Sequence, residues 1–426
     1  MLDIHRLRED PEGLEAALKK RNPDITLKPI LDLDKRRREI IVRVDGLKAE
    51  QNKVSKEISA LRAKGEDASA VIAEVSKLKQ EIAQGDQELR EVETELNDRV
   101  ADLPNVPHES VPVGLEKSAN VVVRTWGEKP LFDFEFRNHV ELGKSLGILD
   151  FERGAKLAGS QFPLYKGVGA LLEMSLIHFF LTENARKGYI PIVPPFLVNR
   201  NCMYVSGVLS KFEKQYYECM DDPLYLLTTA EVSLANMHRD EILSESDLPI
   251  KYSGYSACFR REAGTYGREE RGLIRIHQFQ KVEMFKYVTP ETSYDELESM
   301  VADAEDLCRK LGLHHRTSLL ATGDIAQQSA KTYDVECWLP GQDAYYEVSS
   351  CSNCEEYQAR RGNIRYRPAG GGKPRFPHML NGSGLATSRV MVSLLECNQQ
   401  PGGSVIIPEV LRPFLRGLER IEPIRK

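Results

Sequence analysis

The apolar positions of the first hundred residues keep a helical beat. From Ile40 they fall at Ile40, Val44, Leu47, Val54, Ile58 and Leu61, in steps of four and three with Gln51 filling one seam position, the spacing of a coiled-coil seam. The series stops at Lys64-Gly65-Glu66-Asp67 and resumes at Val71, Val75, Leu78, Ile82, Leu89, Val92, Leu96 and Val100, with Gly85 in the seam. Two helices joined by so tight a polar turn must lie antiparallel. Each runs for more than about thirty residues, so at about 1.5 Å per residue the hairpin extends roughly 50 Å, too long for a compact core. Beyond Leu103, Pro104, Pro107 and Pro112 forbid helix and mark a boundary.

The grammar then changes. A helical stretch at 169–188 is interleaved with β-rich runs at 189–193, 224–228, 345–350 and 405–407. Many runs follow one another without a long helix between them, which predicts an α+β domain on a mainly antiparallel sheet. The expected organisation is a helical arm at 1–103, a linker at 104–130 and a larger domain at 131–426.

Charge alters this picture only locally. The 426 residues carry a formal charge of -6, so a nucleic-acid partner would need a local basic patch. Residues 28–64 hold eleven basic and six acidic side chains, and 66–102 hold four and eleven. Opposite signs favour pairing of the two helices. The surplus of Lys35, Arg36, Arg37, Arg38, Arg43, Lys48, Lys53 and Lys56 suits either a solvated coiled coil or the phosphates of an extended RNA, and periodicity does not choose between them. The charged start MLDIHRLRED and the short apolar stretch at 170–181, broken by Glu173 and His178, predict a cytoplasmic protein with no membrane span. Of eight cysteines only Cys351 and Cys354 form a close pair. That suits reduced thiols, and without a second pair zinc is not expected.

Candidate chemistry sits in FRREAGTYGREERGLIRIHQFQKVEMF, residues 259–285. Strand alternation puts Arg275, His277, Phe279, Lys281 and Glu283 on one face, opposite Ile274, Ile276, Val282 and Met284. The neighbouring run at 257–262 puts Arg260 and Glu262 together. The apolar face packs the core, and the charged face must look into a cleft. An arginine fork fits phosphate or carboxylate, and a phenylalanine face can stack on a base. His277 reads as a hydrogen-bonded strand residue, and Gly370-Gly371-Gly372-Lys373 lacks the phosphate-loop pattern.

Phe259-Arg260-Arg261-Glu262, its loop and the following strand resemble motif 2 of class II aminoacyl-tRNA synthetases. Gly382-Ser383-Gly384-Leu385-Ala386 with Arg389, opening an apolar helix at 390–396, resembles motif 3. GYIPIVPP at 188–195, after a helix carrying Phe179 and Phe180, resembles the dimer-forming motif 1. Thr229-Ala230-Glu231, GLIRIHQFQKVE, the run from Glu347 to Asn353 and the N-terminal hairpin narrow the resemblance to the seryl-tRNA synthetase family, along essentially the whole chain. It implies activation of L-serine by ATP and transfer to tRNA(Ser), and to tRNA(Sec) as well, by a homodimer whose arm reaches along the tRNA. It implies that Arg260 and Arg389 are catalytic. ATP would meet Arg260, Glu262, Arg275, Ile276, Phe279, Glu347, Ser350 and Arg389. Serine would meet Thr229, Glu231, Glu283, Asn381 and Ser383, and Mg²⁺ would be held by Glu347 and Ser350. At a spacing of three these two share a face only if their strand kinks or bulges. Two rivals are a carrier-loading ligase of the same fold, which has little use for a basic arm, and an inactive RNA-binding relative, which should have lost Arg260, Glu283 or Arg389.

Overall fold

The computed structural model describes residues 1–211, 215–262 and 272–424. The chain divides into two compact units, one of Leu2–Lys19 with Pro23–Pro104, the other of Met1, Lys20–Asn22 and Asn105–Lys426.

The first unit is dominated by α1 (Lys28–Lys64) and α2 (Ser69–Asp102). Every seam position predicted from the sequence is buried or half-buried, from Ile40 to Leu61 and from Val71 to Val100. α1 ends where Gly65 takes a left-handed φ of 73° and Glu66 N–H reaches Leu61 O, a reversal that glycine makes without a Cβ clash. The uneven charges face each other as anticipated: Arg36 and Arg43 meet Glu88, Arg37 meets Glu93 (2.9 Å) and Lys48 meets Asp86 (3.0 Å). Gly85 lets the helices close, since a Cβ there would stand 2.5 Å from Val44 Cγ2.

The second unit is built on eight strands: β1 (Val121–Trp126), β2 (Ile190–Ile192), β3 (Ile250–Phe259), β4 (Gln278–Val288), β5 (His315–Leu319), β6 (Lys331–Leu339), β7 (Ala344–Asn353) and β8 (His378–Ala386). Their order is β1-β5-β6-β7-β8-β4-β3-β2, antiparallel except for β2 beside β3. The stretch 104–130 read as a linker thus contains an edge strand, β1, paired with β5. One face of the sheet carries α3 (Val168–Arg186), α4 (Ser293–Lys310) and α5 (Thr387–Cys397). Leu172, Leu176, Met300, Val301, Val390 and Leu394 from these helices form one core with Val282 and Met284 of β4 and Val335 and Cys337 of β6. Strand alternation turns Asp334 and Lys281 to the other face. On that face β4 continues as Phe285 and Tyr287, which pack in a separate apolar cluster with Ala230, Leu234 and Met379. Among the described residues no helix is long and apolar enough to cross a membrane.

The contact at Gly85 tests the seam. Alanine there gains about 1 kcal/mol of helix propensity, which offsets the overpacking of one methyl. Valine gains less propensity and adds two further carbons against Val44. Gly85→Val should therefore destabilise the hairpin by about 2 kcal/mol, read as faster hydrogen exchange in peptides of α1 and α2. Adding Val44→Ala should restore most of the protection.

Candidate active site

On the face of the sheet opposite α3, α4 and α5, two adjoining cavities share Arg260, Glu262, Arg275, Lys281, Glu347 and Ser383 in their walls. All thirteen site residues anticipated from the sequence line one or both. Ile276, Phe279 and Arg389 belong to the first; Thr229, Glu231, Glu283, Ser350 and Asn381 belong to the second, of about 440 Å³.

Backbone register explains the convergence. Glu283 of β4 pairs with Ser383 of β8, and Asn381 with Ser352 of β7. β8 lies this close because Gly382 presents no Cβ: one would stand 2.7 Å from Cys351 Sγ and 2.8 Å from Met300 Sδ. In β7 the ladder slips between Glu347 and Ser349. This bulge brings Glu347 and Ser350 into the wall of one cavity, the distortion their spacing demanded.

The anticipated continuous charged strand is shorter than the alternation suggested. β4 begins at Gln278, and Arg275, Ile276 and His277 lie in a bend ahead of it. Arg275 meets Glu262 at 2.6 Å, and Glu262 has a φ of +46°, uncommon for a residue with a Cβ. His277 is hydrogen-bonded but not in a strand: its Nδ1 donates to Arg260 O (2.9 Å), Arg260 N–H donates to His277 O (2.9 Å), and its ring stacks on Phe162. The Arg260 guanidinium then lies 5.2 Å from the Phe279 ring centre and donates to Thr228 O (3.3 Å). Arg268 and Arg271 lie outside the described residues.

Arg389 stands in the first turn of α5, which starts three residues before the apolar run read as the helix. It donates to Glu347 O (2.8 Å) and Ile274 O (3.4 Å), with the Glu347 carboxylate at 3.6 Å. Across from Ser350 lies Asp334. Burial, then the charge of Glu347, pushes its carboxyl well above the usual range, Ser350 hydrogen-bonds it, and its Oδ1 has no partner among the described residues.

The other end of the cleft is acidic. Glu283 accepts from Lys281 (2.6 Å) and from Thr229 Oγ1 (3.3 Å). Glu231 Oε1 accepts from Gln358 Nε2 (2.8 Å), Asn381 Nδ2 (3.1 Å) and Gln328 Nε2 (3.5 Å). Burial first, then the Glu283 charge, pushes the Glu231 carboxyl up to about 7. The loop bearing Gln328 is held by the Arg21 guanidinium, which donates to the carbonyls of Ile325, Ala326, Gln327 and Ser329 and of Asn105. All eight cysteines are free thiols. Cys354 Sγ accepts from Asn381 Nδ2 (3.4 Å), whereas Cys351 packs in the main core.

Sequence reasoning left Lys281, Gln328, Gln358, Asp334 and Arg21 without a role. Lys281 could have been paired with Glu283 by strand alternation alone. Gln328 and Gln358 lie 97 and 127 positions from Glu231, and no local pattern points to them.

Comparison with known proteins agrees with this architecture. Residues 1–107 match the family described as Seryl-tRNA synthetase N-terminal domain, and residues 212–398 that described as tRNA synthetase class II core domain (G, H, P, S and T). The serine–tRNA ligase of Nitratidesulfovibrio vulgaris is 50% identical over 99% of this chain and 100% of its own length, and that of Geobacter sulfurreducens 49% over 99% and 100%. The crystal structure of seryl-tRNA synthetase from Pyrococcus horikoshii complexed with ATP superposes with a TM-score of 0.93 at 38% identity, covering 100% of both chains. The chain belongs to the seryl-tRNA synthetase family of class II aminoacyl-tRNA synthetases.

Proposed function

We propose that this chain activates L-serine with ATP to seryl-adenylate and pyrophosphate, then transfers the seryl group to the 3′ end of tRNA(Ser), with tRNA(Sec) as a second acceptor. The observation that carries this reading is one cleft with arginines at one end and two carboxylates at the other, Arg260 lining both parts.

In the first step a serine carboxylate oxygen attacks the α-phosphorus; an O–P bond forms and the bond to pyrophosphate breaks. The nucleophile is already ionised, so no general base is needed. Arg260 lies where it would neutralise charge on the α-phosphate, with Arg275 and Arg389 for the terminal phosphates. Phe279 offers a face to adenine, flanked by Ile276 and Glu262. Glu347 and Ser350, with the Asp334 oxygen that has no partner among the described residues beside them, are hard oxygen donors suited to Mg²⁺, which keeps waters and binds substrate phosphates. Bound there, Mg²⁺ would supply charge stabilisation on the phosphates. At the acidic end Glu231 and Thr229 would take the serine ammonium, and Glu283, Ser383 and Asn381 its remaining polar groups. A pocket that pairs a hydroxyl strands its own polar groups when alanine enters.

The N-terminal hairpin, with cations displayed along α1, would bind the tRNA, making 1–103 the arm, 104–130 the connection and 131–426 the catalytic domain. Exposed Leu171 and Met174 on α3, Ile190 in β2 and Val193 just after it support a homodimer through motif 1. Such an enzyme would work in the cytoplasm.

Serine, and not alanine, glycine or threonine, should support exchange of pyrophosphate into ATP; exchange with another amino acid alone would refute the substrate. Replacing residues 28–102 by a short Gly-Ser turn should abolish tRNA charging and spare serine-dependent exchange, and loss of both in a folded protein would refute the division of labour. The ammonium favours ionised Glu231, whose proton is held up to about 7. The KM for serine should therefore fall as pH rises from about 6 to about 8 and level off above it. Glu231→Gln should bind serine more weakly and flatten that dependence, as measured by exchange kinetics across the range.

A further inference from the structure

A second buried carboxyl lies outside the serine pocket. Glu173 is on the sheet-facing side of α3, fully buried. Its Oε1 is 2.5 Å from Oγ1 of Thr387, the first residue of α5, and that hydroxyl is 3.0 Å from the main-chain carbonyl of Gln280 in β4. A threonine hydroxyl has one proton to donate. An ionised Glu173 and the Gln280 carbonyl are both acceptors and would compete for it. A protonated Glu173 removes the conflict: the acid donates to Thr387, and Thr387 donates onward to Gln280.

The surroundings favour the neutral form. Glu173 Oε2 and the Tyr165 hydroxyl both lack a hydrogen-bond partner among the described residues, and an unsolvated negative charge costs far more than an unpaired neutral oxygen. The titratable groups facing Glu173 are Tyr165, ahead of α3, and Tyr255 of β3, whose hydroxyl donates to Gln280 Oε1 (2.9 Å). Neither brings a positive charge. Burial holds the Glu173 carboxyl up at about 7.

We propose that Glu173 works as a neutral carboxylic acid that fastens the start of α5 to β4, and thereby positions Arg389, two residues along the same helix, at the nucleotide end of the cleft. This rests on the reading of Arg389 as a phosphate-binding residue. The chain of bonds joins α3, β4 and α5, which carry the counterparts of motifs 1, 2 and 3, at a point where none of the three residues faces the substrates. Glu173 is thus a positioning residue.

The working form holds its proton, so it is present at low pH and lost as pH rises through about 7. ATP affinity, measured by calorimetry with MgATP, should weaken roughly fivefold between about pH 6 and about pH 8.5, the worth of one hydrogen bond. Glu173→Gln, whose amide can still donate to Thr387, should keep the low-pH affinity across the range. Glu173→Ala and Thr387→Val should bind ATP about fivefold more weakly than the parent at about pH 6 and about as well as the parent at about pH 8.5, with the KM for serine within about twofold of the parent. A Glu173→Gln protein that follows the parent's pH curve would overturn the proposal, as would a Glu173→Ala protein that loses serine and ATP affinity alike. Should Glu173→Ala not fold, the Glu173→Gln profile alone decides. A parent that binds MgATP but gives no serine-dependent exchange would refute the proposed substrate, while the ATP titrations would still decide the role of Glu173.

Discussion

A buried ion pair organises the cleft: Lys281 and Glu283, two residues apart on β4, 2.6 Å between their charged atoms, with 8% and 2% of their side chains exposed. Neither charge could sit in this sheet alone. Removing one partner of such a pair costs about 3 to 5 kcal/mol, because the other is left uncompensated in a poorly solvated place. The pairing allows β4 to keep polar groups at 281 and 283 between an apolar core on one face and an apolar cluster at 285 and 287 on the other. Once Glu283 is fixed, Thr229 is drawn to it by a hydrogen bond, and register places Ser383 opposite.

Polarity along the cleft follows from the same constraint. Glu231 lies near Glu283, and burial, together with that charge, holds the Glu231 carboxyl up to about 7. Three amide donors on a single oxygen stabilise it only in part. The pocket is therefore short of positive charge until something brings it, as an amino-acid ammonium would. At the far end the imbalance is reversed on the arginine side and repeated by Glu347 and Asp334, a carboxylate beside a buried carboxyl whose Oδ1 has no partner among the described residues. Each end would thus complement the part of the substrates proposed for it.

The sequence was most legible where periodicity is strict. The hairpin seam could be read position by position because a coiled coil buries the residues that the repeat marks. The cleft face of β4 could be read from Phe279 onward for the same reason. Reading failed where the backbone leaves regular geometry: Arg275 to His277 continue the alternation of a strand but lie in a bend, anchored by the Arg260–His277 bonds and the Arg275–Glu262 pair. It failed again for Gln328, Gln358 and Arg21, whose roles arise from contacts distant in sequence. The Glu347–Ser350 spacing is intermediate, since it required a bulge without saying how the strand would make one.

The arm meets a competition of its own. Arg36, Arg37, Arg43 and Lys48, four of the eleven basic side chains of α1, reach across to α2. Arg38 pairs within α1 to Asp34. Exposed pairs of this kind contribute at most about 1 kcal/mol each, so they align the helices without holding these side chains tightly. The apolar seam, which includes Ile40, Val44 and Val92, carries the stability. A hairpin held by its seam could release its arginines from the α2 carboxylates to the RNA phosphates proposed as their partners without coming apart, whereas one held by its ion pairs could not. That separation of roles lets a net-acidic chain present a basic surface on one helix of its arm.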